Sequence, residues 1–202
     1  MELLILFLIV VFAVFMVGLS VSKTKKQPAR SDQRKSSQAA YKTKAQGEAQ
    51  VRERIKNLPE VKVKHIIDGD TVIVVKNWHK IKIRLDSIDC PEDGQHWGDT
   101  AKYGLIKLIG GRKVRLEEHG IDGHERTLAT IYVQHGYESE WMNVNERMVT
   151  LGHAWVMRRF YDHLPKDRQD KLNRLERWAR SKKVGLWQEA NPIPPWKWRS
   201  EG

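Results

Sequence analysis

Five side chains in this sequence have types and spacings that suit chemistry on a shared ligand: Asp70, Arg84, Asp89, Glu92 and Arg126. Asp70 and Asp89 lie 19 residues apart. The two alternating strands between them can pair as a hairpin and bring both carboxylates to one place. Two carboxylates held close together repel unless a cation sits between them, and hard oxygen donors favour Ca²⁺ or Mg²⁺. A guanidinium offers paired planar donors that match phosphate oxygens, and Arg84 and Arg126 supply two. Glu92, directly after Pro91, opens a loop where a carboxylate can take a proton from water. Each residue also has an ordinary use. Asp68-Gly69 suits a turn, Asp89 suits a loop cap, and an exposed Arg commonly forms a surface ion pair.

These residues need a scaffold, and the hydrophobic pattern provides one. Val61 and Val63 alternate with Lys62 and Lys64, Val72–Val75 follows the Asp68-Gly69-Asp70 turn, and Ile81, Ile83 and Leu85 alternate with Lys80, Lys82 and Arg84. The pattern predicts three strands. Trp97–Ile109 reads as a helix capped by Asp99 and stopped by Gly110-Gly111. Val114–Glu118 and Leu128–Val133 read as two more strands, and Asn143–Leu151 as a short helix. Ala154–Met157 is a brief extended piece, and Pro165–Lys182 is a long helix with Leu172, Leu175, Ala179 and Trp178 on its inner face. Trp187 packs back on the core, and the tail Pro192-Ile193-Pro194-Pro195-Trp196 reads as stiff and extended. Five strands and three helices, one inserted after the third strand, predict an α+β fold. Its expected form is a five-stranded Greek-key barrel of the oligonucleotide/oligosaccharide-binding (OB-fold) type.

The 202-residue chain has a formal net charge of +11, so an anionic partner is expected, either nucleic acid or an anionic membrane surface. The charge is uneven, because Ser22–Asn57 holds 11 Lys/Arg against 3 Asp/Glu. That composition predicts a basic flexible tether over residues 23–57, with contact with anionic lipid as a side effect, and Ala45–Asn57 has the residues to form a helix. Leu3–Val21 is an almost unbroken apolar run of 19 residues, close to the roughly 20 that span a bilayer. It predicts a transmembrane anchor within residues 1–22. A cleavable signal peptide competes with this reading, but Glu2 precedes the run and no small-residue cleavage site follows. One cysteine, Cys90, excludes an intramolecular disulfide and a multi-cysteine zinc site.

The combination of motifs resembles the staphylococcal nuclease (thermonuclease) family. The resemblance rests on Asp68-Gly69-Asp70-Thr71, on Arg84 followed by Asp89-Cys90-Pro91-Glu92, and on Asp122 followed by Arg126-Thr127-Leu128-Ala129. Ala154-Trp155-Val156, Gly185-Leu186-Trp187 and the tail through Lys197-Trp198-Arg199 are consistent with it. It covers about Val61 to Arg199, with a nuclease-like domain at 58–188 and a Pro/Trp tail at 189–202. By this resemblance Asp70 and Asp89 would ligate Ca²⁺ through side chains and Cys90 through its backbone carbonyl, a position where the family often has Thr. Arg84 and Arg126 would hold the scissile phosphate, and Glu92 would activate or position the attacking water.

The resemblance implies a Ca²⁺-dependent nuclease that cuts DNA and RNA with low sequence specificity and leaves 3′-phosphates, and a monomer is expected. A binding module of the same fold, without effective catalysis, is the rival. His124-Glu125 stands where the family usually has Tyr-Gly, and a Glu beside Arg126 can pair with it. Trp155, Phe160 and Tyr161 with Arg158-Arg159 are candidate nucleobase contacts, with core packing the competing use. The Lys/Arg cluster after the apolar run points the domain into the cytoplasm, whereas calcium supply and family habit point it outward. Both placements stay open.

Overall fold

The computed structural model describes residues 30–136 and 140–201, with side chains from residue 37. Two compact units divide it, residues 1–47 and 48–202. The described part of the first is helical. Helix α1 (Arg30–Lys56) runs well beyond the Ala45–Asn57 segment and makes helical most of the stretch read as a flexible tether. Its sequence is dominated by Ala, Gln, Lys, Arg and Glu, which favour helix even where no apolar face exists. In the second unit the end of α1 buries Ile55 and pairs Arg54 with Glu117. The apolar run Leu3–Val21 lies outside the described residues. Among the described residues no helix is long and apolar enough to cross a membrane.

The barrel forms as the alternation predicts. Strands β1 (Glu60–Ile66), β2 (Thr71–Lys76) and β3 (His79–Leu85) make an antiparallel meander. The β2–β3 link is a two-residue turn, Asn77-Trp78, with both residues at positive φ, the backbone that suits the twist of a hairpin. A two-residue strand β4 (Ile88–Asp89) follows, then helix α2 (Gly98–Ile109). Strands β5 (Lys113–Ile121) and β6 (Thr127–His135) pair antiparallel. The order β3-β2-β1-β5-β6 closes through parallel pairing of β3 with β6. Five strands thus form a closed barrel of the OB type. A further strand the pattern missed, β7 (Glu140–Asn143), extends from β6.

Helix α3 (Val144–Thr150) is capped by the Asn143 side chain, which accepts from the Glu146 amide. Strand β8 (Trp155–Val156) pairs with β4, and α4 (Lys166–Ser181) packs Leu172 and Ala179 inward. The core joins Val72, Val74, Ile83 and Leu85 of the barrel to Leu105 and Ile109 of α2 and Met148 of α3.

Three local expectations need correction. Asp99 does not cap α2; Trp97 precedes the helix in a left-handed conformation without a side-chain cap, and Asp99 sits in the first turn. Trp178 does not extend the inner face of α4, since it is 46% exposed. The tail is not extended throughout, because Pro195–Glu201 forms a last helix, α5. Proline fits the first helical position, where its missing N–H is not needed.

Candidate active site

The β1–β2 turn starts the site. Asp68 Oδ1 accepts from the Asp70 amide at 2.9 Å, closing an Asx turn. Gly69 is required there by space: a Cβ would lie 2.7 Å from Cys90 Cβ and 2.9 Å from Ala101 Cβ. The turn therefore packs directly on β4 and α2. It delivers Asp70, 5% exposed, whose Oδ2 accepts from the Cys90 amide at 2.7 Å and whose Oδ1 accepts from the Thr71 hydroxyl at 3.1 Å.

Arg84 faces Thr71 across the hairpin. Its guanidinium bridges both acids, with Nη1 at 3.0 Å from Asp70 Oδ2 and Nη2 at 2.6 Å from Asp89 Oδ1. Nη1 also donates to the carbonyls of Leu85 and Ile88, each at 3.0 Å. The predicted convergence of Asp70, Arg84, Asp89 and Cys90 is therefore present. Burial pushes the Asp70 carboxyl up to about 7; the attraction of Arg84 does not offset it, and the neighbouring Asp68 and Asp89 carboxylates add to the rise. Burial likewise pushes the Cys90 thiol well up, so Cys90 offers no thiolate.

Glu92 sits on the loop before α2. Its amide donates to Gln95 Oε1 at 3.0 Å, and its carbonyl accepts from the Gln95 amide at 3.0 Å. A Cβ on Gly98 would come 2.1 Å from the Glu92 carbonyl oxygen, so this loop can fold only against glycine. The Glu92 carboxylate pairs with Arg199 of α5. Arg199 Nη2 also meets Asp89 Oδ2 at 2.9 Å. Sequence reasoning placed Arg199 in a family-like tail without a role.

Arg126 reaches the same end of the barrel, because β3 and β6 run parallel with Ile83 opposite Thr127 and Arg84 opposite Leu128. Its guanidinium is bound to Asp122, with Nε and Nη2 each 2.7 Å from Oδ2. The acid that pairs with Arg126 is thus Asp122 and not Glu125. Asp122 Oδ1 accepts from the His124 and Arg126 amides, while Glu125 takes positive φ in place of the usual glycine.

The candidate base contacts separate. Trp155 and Tyr161 are buried, with Trp155 edge-on to Trp187 at 4.3 Å and to Trp196 at 5.5 Å. Arg158 pairs with Glu176. Of the three aromatic candidates only Phe160, 60% exposed with Arg159 over its ring, is presented to solvent. A separate cluster joins Asp86, His119 and His163, with Asp86 Oδ2 2.9 Å from His163 Nε2. Arg168 borders it by donating to Thr130 Oγ1, which also meets His119 Nε2.

A family model described as staphylococcal nuclease homologue matches residues 82–189. The chain belongs to the staphylococcal nuclease family. It is 38% identical over 140 residues to a micrococcal nuclease of Shigella flexneri, covering 68% of this chain and 78% of the relative. It is 38% identical over 141 residues to an uncharacterized endonuclease of Haemophilus influenzae, covering 69% and 72%. A third relative, an uncharacterized endonuclease of Escherichia coli O157:H7, is 35% identical over 138 residues, covering 68% and 83%. Within this staphylococcal nuclease homologue, a buried pair of carboxylates with oxygen donors and no thiolate fits a hard divalent cation rather than zinc.

Proposed function

We propose that the chain is a Ca²⁺-dependent nuclease that hydrolyses phosphodiester bonds in DNA and RNA with low sequence specificity and leaves 3′-phosphate ends. The observation that carries this reading is the buried knot in which one guanidinium, that of Arg84, spans Asp70 and Asp89, with Glu92 on the adjoining loop. The relatives named as a nuclease and as endonucleases support hydrolysis of nucleic acid.

Asp70 and Asp89 would hold the cation through side-chain oxygens and Cys90 through its carbonyl. When bound, the cation polarises the phosphate and helps orient water. Arg84 and Arg126 neutralise charge on the non-bridging phosphate oxygens as a fifth oxygen approaches phosphorus. Arg126 exchanges Asp122 for phosphate to do so. Glu92 takes a proton from the water whose oxygen bonds to phosphorus. The bond from phosphorus to the 5′-oxygen breaks, and that oxygen gains a proton to become a 5′-hydroxyl. These groups address phosphate rather than base edges, which accounts for low sequence specificity.

The test is turnover by the full chain on DNA and RNA with Ca²⁺ and with chelator, followed by end-group analysis. Cleavage with Ca²⁺, loss with chelator and 3′-phosphate ends are expected. Tight nucleic-acid binding with no turnover would replace this reading with the binding module.

The apolar run Leu3–Val21 supports a single-pass membrane anchor, with the following Lys/Arg cluster near anionic lipid. Retention in the membrane fraction after alkaline extraction tests it, and protease protection in intact cells decides the side. The enzyme acts as a monomer, which sedimentation checks.

A further inference from the structure

Arg199 is the site residue that the cation-binding reading leaves unused. Both Asp89 oxygens carry a guanidinium: Oδ1 faces Arg84 at 2.6 Å, and Oδ2 faces Arg199 at 2.9 Å. Arg199 also lies 3.4 Å from Oδ1 and pairs with Glu92. A cation that binds through the Asp89 side chain meets a guanidinium on either oxygen, and the like charge of that guanidinium opposes it.

The surroundings decide which one yields. The Arg84 side chain is 12% exposed and tied to two backbone carbonyls as well as Asp70. Arg199 is 44% exposed, and among the described residues its guanidinium pairs with the two acids alone. Its helix is held by buried Pro195 and by Trp196 edge-on to Trp155 at 5.5 Å, yet Trp196 and Trp198 stay 41% and 39% exposed. The preceding segment is tied by Gln95 Nε2 donating to the Ile193 carbonyl at 2.7 Å. An open cleft of about 60 Å³, lined in part by Pro91, Gln95, Trp155, Ile193 and Trp198, remains beneath the tail. Arg84 is therefore built in, and Arg199 is laid on.

We propose that Arg199 is a tethered competitor for the cation: its guanidinium leaves Asp89 and Glu92 when a divalent cation binds through Asp89. The inference rests on the assignment of Asp89 as a cation ligand. Release does two things at once. It opens Asp89 Oδ2, and it frees Glu92 for water. The freed guanidinium stays at the rim of the site, where a nucleic-acid phosphate can take it up. Cation and polyanion binding are then coupled through the tail, and the coupling is reciprocal.

The experiment is Ca²⁺ binding by calorimetry to the full chain without nucleic acid, comparing wild type, Arg199→Gln and Arg199→Lys. Glutamine removes the competing charge and is expected to tighten binding by roughly 5-fold or more. Lysine keeps the charge without the fork and is expected to fall between. A merely structural role for Arg199 would loosen the site and weaken binding instead. Equal or weaker Ca²⁺ affinity in Arg199→Gln would overturn the proposal. Asp89→Asn serves as the control. If it leaves Ca²⁺ affinity unchanged, the ligand assignment fails and the proposal falls with it, an outcome distinct from a failure of Arg199 alone.

Discussion

Replacing Arg84 with methionine separates the structural work of its guanidinium from its chemical work. The guanidinium touches Asp70 at 3.0 Å, Asp89 at 2.6 Å and two backbone carbonyls at 3.0 Å. Asp70 and Asp89 are 5% and 1% exposed, so water cannot take over the lost contacts. Removing one partner from such a buried ionic cluster costs about 3–5 kcal/mol. For a domain of this size that corresponds to a fall in Tm of about 6–20 °C. Thermal unfolding by circular dichroism, in chelator, measures it. Ca²⁺ should restore part of the loss, because a cation between the two carboxylates neutralises the same charge. Turnover should nonetheless stay about 10²–10³-fold down, since the phosphate has lost its clamp. Stability and activity thus respond differently to the ion, which simple misfolding would not produce. A Tm within about 2 °C of wild type in chelator, or full turnover once Ca²⁺ is added, would refute the reasoning.

Glu92→Gln keeps the loop contacts through its backbone but cannot accept a proton from water, so kcat should fall by about 10²–10⁴-fold in single-turnover assays. Gly98→Ala places a Cβ 2.1 Å from the Glu92 carbonyl oxygen; the loop must shift, and a loss of about 1–3 kcal/mol in chemical denaturation should accompany a kcat loss of tenfold or more. The Asp70 carboxyl sits near 7, above its ordinary value, so its protonated form stabilises the cation-free fold below about pH 4 and that contribution is lost as pH rises through about 7. A cation requires the ionised form, so Ca²⁺ affinity should fall about tenfold for each pH unit below 7 and level off above it. Calorimetry at about pH 5, 6, 7 and 8 checks the slope, and a flat profile would remove Asp70 from the ligand set.

The part of the site built by near neighbours in sequence was legible. Apolar alternation in β2 and β3 determined which residues face the core, and the Asx turn brought Asp70 opposite the end of β3. Asp89 followed from the same hairpin, whereas Cys90 entered only through the family resemblance. Charge pairing was less legible, because any of several acids beside Arg126 can reach it. Asp122 does so, since the turn points its carboxylate at both the Arg126 amide and its side chain. The helix α1 was misjudged for a different reason. Lack of apolar residues argues against a packed core, but it does not argue against helix when Ala, Gln, Lys and Glu dominate. The Asp86, His119 and His163 cluster joins three separate segments, so no local histidine motif marked it.

Arg199 lies 110 residues beyond Asp89 and 107 beyond Glu92, a separation across which spacing carries no information. Yet one local reading would have aimed it. Pro194-Pro195 was read as extended chain, but proline is also favoured at the first position of a helix. If Pro195 starts a helix, Arg199 lies four residues on, one turn along the same face. Pro195 is apolar and buried, so that face turns toward the barrel and carries Arg199 with it. Gln95 holds the preceding Ile193 carbonyl and so sets where the helix begins, beside the loop that carries Glu92. A helix start anchored at that loop, with an arginine one turn later, delivers a positive charge to the carboxylates of Asp89 and Glu92. The placement of Arg199 thus follows from a cap, a periodicity and one hydrogen bond.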